Sequence, residues 1–138
     1  LDEGGETMPD DADAARLLEA FAGVFRSDGE IPEIPVHAIE GHEEQGRLSL
    51  KVLMVTENFL VVKAMRGKGL IDPPHKHDDH ESVATLISGR MRMHIGGEEF
   101  EVGPGDVWRH PPGVVHGSEA LEDCVQIEIK SPPRRTWS

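Results

Sequence analysis

Three histidines in this chain stand at spacings that suit a metal ion. His75 and His77 are two residues apart. On extended backbone that spacing turns both imidazoles to one face. A third, His116, arrives much later in the sequence, directly behind the turn signal Pro111, Pro112 and Gly113. Neutral imidazole is the commonest side-chain ligand of divalent first-row metals. Three of them converging on one point, with coordination positions left over, describe a catalytic rather than a structural centre. The expected cofactor is one divalent ion, Fe, Mn, Ni, Co or Zn, since ligand type alone does not choose among these.

The segments around these histidines resemble the paired motifs of the cupin superfamily, in its small single-domain form. Gly69, His75, His77 and Gly89 fit the first motif. Gly105, Pro111, Gly113 and His116 fit the second without a gap, with Ala120 where asparagine is usual. The resemblance runs from about residue 48 to about residue 133. It implies an antiparallel β-barrel or jelly roll, a metal held by His75, His77 and His116, and a fourth, acidic ligand from the first motif. Counting forward from His77, that ligand is Glu81; counting back from Gly89, its slot falls on Ser82. Glu81 is the preferred reading, which requires a bulge to re-aim the strand. With Ser82 in the slot the centre is three histidines plus solvent, a set that the resemblance links to iron dioxygenases. His80 is a lesser candidate, being out of phase with His77.

Other residues carry weaker signals. His110, just ahead of Pro111, is a candidate second-sphere donor or proton carrier. Asp78 and Asp79 read as solvated, although either can fix a histidine tautomer. His94 shares a face with Arg90 and Arg92 and reads as exposed; His37 and His42 read as surface residues. Trp108, Met65, Met91 and Met93 read as core or barrel filling. Cys124, the only cysteine, excludes an intrachain disulfide and reads as a small buried residue.

The elements that must position the histidines are short strands. From about residue 30 the pattern alternates over 36–39, 48–56, 58–65, 82–88, 90–95, 98–102, 106–110 and 124–130, punctuated by glycine and proline. Gly96 and Gly97 between two such runs mark a two-residue hairpin. Many short strands at regular spacing indicate an all-β barrel or jelly roll independently of any resemblance. Residues 1–30 are expected to form an acidic extension carrying a short amphipathic helix over 14–25, with Leu17, Leu18, Phe21, Val24 and Phe25 on one face. Residues 31–138 then form the barrel, with the proline-containing tail laid over its surface.

A net charge of −12 argues against binding to nucleic acid or anionic membrane. Arg92, Arg109 and Lys63 can still focus positive charge on an anionic small substrate. No run approaches the roughly 20 apolar residues of a membrane-spanning helix. With one cysteine and no signal-peptide pattern, a cytoplasmic protein is expected. The apolar helix face needs cover, so a homodimer is expected. The first functional reading is a metal-dependent enzyme acting on a small carbonyl, enol or sugar-acid substrate as a dioxygenase, isomerase or lyase. The second is a noncatalytic ligand- or sugar-binding module, and a storage-type structural role ranks below both.

Overall fold

The computed structural model describes residues 16–138. All paired strands are antiparallel. In chain order they are β1 (Ile34–Pro35), β2 (Ala38–Ile39), β3 (His42–Glu43), β4 (Leu48–Val55), β5 (Leu60–Arg66), β6 (Ile71–His75), β7 (Glu81–Ser88), β8 (Met91–Ile95), β9 (Glu98–Val102), β10 (Val107–His110), β11 (His116–Ala120) and β12 (Cys124–Ser131). A six-stranded sheet, β1-β4-β5-β12-β7-β10, faces a four-stranded sheet, β6-β11-β8-β9. The core between them is built from Leu48, Leu50, Leu60, Val62, Leu86, Met91, Met93 and Trp108. This is the expected jelly roll.

Local chemistry explains the joints. Gly96 and Gly97 both take positive φ, as the β8–β9 hairpin demands. Gly89, between β7 and β8, has φ +95°, and a Cβ there would lie 2.4 Å from the Asp123 carbonyl oxygen. Gly117 serves the site directly. The β11–β6 register shifts between His116 and Ser118, and a Cβ on Gly117 would stand 2.9 Å from the Asp72 carbonyl oxygen. The bulge and the missing side chain let β6 and β11 approach with His75 and His116 paired across them.

Three expectations are corrected. The helix expected over 14–25 does not continue past Arg16, which is helical: residues 17–27 are not helical, while 14 and 15 lie outside the described residues. The only helical element that follows is a 3-10 turn at Asp28–Glu30. A lone helix of this length, interrupted by Gly23, is marginal, and β4 offers an alternative. β1 covers only the Ser49–Leu50 part of β4. The extension lies against the remaining edge, with the Phe21 N–H donating to the Val55 carbonyl at 2.9 Å and the Arg26 guanidinium to the Val52 carbonyl at 2.9 Å. An uncovered strand edge is thereby closed.

The C-terminal tail does not lie on the surface. Thr136 and Trp137 are buried, Trp137 joins the core and bridges to Ile39, and Lys130 Nζ donates to Thr136 Oγ1 at 2.8 Å. Finally, His75 and His77 do not share one strand: β6 ends at His75, and His77 lies in the following loop, held by the Gly113 N–H donating to its carbonyl at 2.8 Å. No helix among the described residues is long and apolar enough to cross a membrane.

Candidate metal centre

His75, His77 and His116 are all buried, and their ligand atoms lie within 4.8 Å of one another. Ring centroids are 4.9 Å apart for His75–His77, 4.4 Å for His75–His116 and 5.0 Å for His77–His116. The other ring nitrogens explain the orientation. His75 Nδ1–H donates to the Pro73 carbonyl at 2.8 Å, and His116 Nδ1–H to the Val114 carbonyl at 3.2 Å, each acceptor two residues upstream. His77 Nδ1–H donates to Glu40 Oε2 at 2.6 Å. A carbonyl or carboxylate can only accept, so each contact puts the proton on Nδ1 and leaves the Nε2 lone pair free. Burial, with Lys130, His80 and His75 nearby, pulls His77 down to about 4, against the pull of Glu40. Burial and the neighbouring His110, His75 and His77 pull His116 down to about 2. Both are therefore neutral donors at neutral pH. This donor set fits a divalent ion, with His75, His77 and His116 as its holders.

The structure does not bring Glu81 to the three imidazoles. In β7 the burial alternates from exposed Glu81 through buried Ser82, exposed Val83 and buried Ala84 to buried Leu86. The strand does carry an irregularity, where the β12 register jumps from Val125↔Ser88 to Gln126↔Leu86. It comes after the site rather than between His77 and Glu81, so it cannot turn Glu81 inward. Ser82 holds the inward position, opposite His110 on β10 and Lys130 on β12.

Ser82 Oγ lies 2.8 Å from His110 Nδ1, and Glu128 Oε2 lies 3.5 Å from the same nitrogen. His110 stacks on His116 with ring centroids 4.0 Å apart, and its Nε2 is buried without a partner. A small cleft of about 50 Å³ runs from the imidazoles into the barrel and is also lined by Asp72, Trp108, His110, Glu128 and Lys130. His80 is buried on the far side of His77, with Nδ1–H donating to Asp79 Oδ1 at 2.8 Å, and does not line this cleft. Asp78 is exposed beside Lys76, and His94, His37 and His42 are exposed as expected. Cys124 is buried.

The cations expected near the substrate lie elsewhere. Lys63 pairs with Asp28 at 3.1 Å, Arg92 with Glu119 at 2.9 Å, and Arg109 is exposed. Arg66 and Lys130 line the cleft instead. They belong to a polar ladder on the inner face of the six-stranded sheet. Arg66 Nε donates to Gln126 Oε1 at 3.0 Å, and Gln126 Nε2 to Glu128 Oε1 at 3.1 Å. Glu128 is held well below the usual carboxylate range: burial pushes it up, and Lys130 and His110 more than offset that. The signal was present as alternation, with polar Gln126, Glu128 and Lys130 between apolar Val125, Ile127 and Ile129. In this barrel the polar phase faces inward.

An antiparallel jelly roll with three buried histidines placed so that they could hold a metal ion defines a class of small β-barrel. Comparison with known proteins narrows that class. The family model described as "Cupin domain" matches residues 62–128. The pectin degradation protein KdgF of Dickeya dadantii is 32% identical over 85 residues, covering 61% of this chain and 77% of that protein. Oxalate decarboxylase OxdC of Bacillus subtilis is also 32% identical over 85 residues, which span 58% of this chain but only 22% of the enzyme. The solved structure of KdgF from Halomonas sp. superposes with a TM-score of 0.66 at 27% identity, over 83% of this chain and 96% of that one. The chain belongs to the cupin family.

Proposed function

We propose that the protein is a metal-dependent enzyme that moves protons on a small oxygen-bearing substrate, a sugar acid foremost, as an isomerase or lyase. The observation that carries this reading is the pairing of two features in one cleft: three imidazoles whose Nδ1 protons are tied, and His110 with its Nε2 unpartnered beside them. A divalent ion held by His75, His77 and His116 supplies Lewis acidity toward a carbonyl or enol oxygen. The chain's own residues do the rest. His110 takes or gives a proton at Nε2, within a ring-stacking distance of His116. Ser82 and Glu128 hold its Nδ1 and so orient the ring. Trp108, Met91 and Met93 keep water from the cleft wall. This acid–base group favours proton transfer over dioxygenase chemistry, and the similarity to a pectin degradation protein favours a sugar acid.

The test is reconstitution with Fe(II), Mn(II), Co(II), Ni(II) and Zn(II), followed by turnover assays on a panel of small sugar acids and keto acids. One ion per chain and turnover are expected. His110→Gln should keep the metal and lower kcat by about 10²–10⁴-fold. Tight ligand binding without turnover across the panel would instead establish a binding module.

We also propose that the chain pairs with a second copy through the outer face of the six-stranded sheet. The support is the inverted polarity of that sheet, which leaves Val83, Ile87, Val107 and Ile129 exposed on adjacent strands. This face replaces the helix originally expected to need cover.

A further inference from the structure

One guanidinium at the start of the described chain reaches two histidines through two carboxylates. Arg16 Nη1 and Nη2 donate to Glu40 Oε1 and Oε2 at 2.5 and 3.1 Å, in a fork. Its Nε and Nη2 donate to Asp79 Oδ2 and Oδ1 at 3.2 and 3.1 Å. Glu40 accepts the Nδ1 proton of His77, and Asp79 that of His80. The Arg135 N–H donates to the Arg16 carbonyl at 2.8 Å, so the buried tail fixes the arginine backbone.

The backbone at Glu40 is a second, independent observation. Glu40 and Gly41 form the two-residue turn joining β2 to β3, with φ of +49° and +78°. Such a turn favours asparagine or glycine at its first position. Glu40 is the one non-glycine residue with positive φ among the described residues. A strained residue held where a relaxed one would serve the turn better points to a use for its side chain.

We propose that Arg16 and Glu40 are positioning residues that hold His77 as its Nδ1–H tautomer with Nε2 turned to the cleft, making the N-terminal extension part of the metal centre. The inference rests on the metal reading above for its consequence, but the tautomer can be read without metal. Carboxylates behind a ligating histidine fix its ring and raise its basicity, and their loss typically costs 10–100-fold in metal affinity. The bidentate arginine in turn fixes the carboxylate. Sequence offered no signal for this, because 24 residues separate Arg16 from Glu40, 37 separate Glu40 from His77, and 63 separate Arg16 from Asp79.

The test uses the full chain as parent, Glu40→Gly, Arg16→Gln and Arg16→Lys. Glu40→Gly removes the carboxylate while relieving the backbone. Long-range 15N–1H correlation spectra of the metal-free proteins report the His77 tautomer, and Co(II) competition against a chelator reports affinity. The parent should show His77 protonated at Nδ1. Glu40→Gly should mix the tautomers and weaken Co(II) binding by about 10–100-fold. Arg16→Gln should move both readouts the same way by less, and Arg16→Lys should recover part of the loss. An unchanged His77 tautomer in Glu40→Gly and Arg16→Gln, even with a lowered unfolding temperature, would make these residues structural only and overturn the proposal. A parent with the expected tautomer dependence that takes up no Co(II) would uphold the positioning and sink the metal reading instead.

Discussion

Metal binding should lose little affinity between pH 7.5 and pH 5.5 on account of His77 and His116. The perturbation is pH alone. An imidazole with the ordinary pKa of about 6.5 is roughly ten-elevenths neutral at pH 7.5 and one-eleventh at pH 5.5, so each such ligand weakens binding about 10-fold over that interval. Two of them weaken it about 100-fold, or about 2.7 kcal/mol. In this barrel burial, ahead of mutual repulsion among the histidines, pulls His77 to about 4 and His116 to about 2. At pH 5.5 a group with pKa about 4 is still about 97% neutral, so the pair's share of the fall is within error of zero. Calorimetry in two buffers of different ionisation enthalpy counts protons released on binding, and chelator competition at each pH gives affinity. Two ordinary imidazoles would release about 1.8 protons at pH 5.5, whereas these two should release fewer than about 0.1. Release approaching two protons, or a fall in affinity beyond about 100-fold, would refute the reasoning.

The same shifts have a stability consequence of opposite convenience. His77 and His116 have folded pKa values below the unfolded value of about 6.5, so the unfolded chain binds more protons and metal-free stability is lost as pH falls from 6.5, toward 4 for His77 and toward 2 for His116. Glu44, pushed up to about 9 by burial and by Asp72, works the other way between pH 9 and about 4.5. Thermal melts should therefore show a steeper acid loss in the parent than in His116→Gln, and equal slopes would contradict the shift. Glu81→Ala, at an exposed position, should change metal affinity less than twofold and stability by less than about 0.5 kcal/mol; a tenfold affinity loss would restore Glu81 as a ligand. Ile129→Glu should convert a dimer to a monomer in light scattering, and a monomeric parent at tens of micromolar (roughly the range in which standard interfaces persist) would remove the proposed pairing face.

Much of this protein is local and therefore readable along the chain. Gly96 and Gly97 specify a hairpin because positive φ is a property of the residues themselves, and the turn at Pro111 to Gly113 delivers His116 for the same kind of reason. Alternating short runs mark the strands from β4 to β12 wherever side chains repeat with period two, but Ile71–His75 and His116–Ala120 lack that alternation. The three histidines were legible because their type and spacing carry the chemistry. What depends on partners was not legible. Glu81 and Ser82 differ only in phase, and the phase of β7 is set by pairing with His110 on β10 and Lys130 on β12. The polar ladder of Gln126, Glu128 and Lys130 faces inward because the polar cleft, and not the core alone, occupies that side of the barrel. The residues around Phe21 have helical periodicity, yet the open edge of β4 offers hydrogen bonds that a lone marginal helix cannot match. The link from Arg16 through Glu40 to His77 exists only after the extension, the β2–β3 turn and the β6–β7 loop meet in space. Periodicity and turn chemistry are written residue by residue, whereas register, burial and long-range ion pairs are properties of the folded chain that no single segment contains.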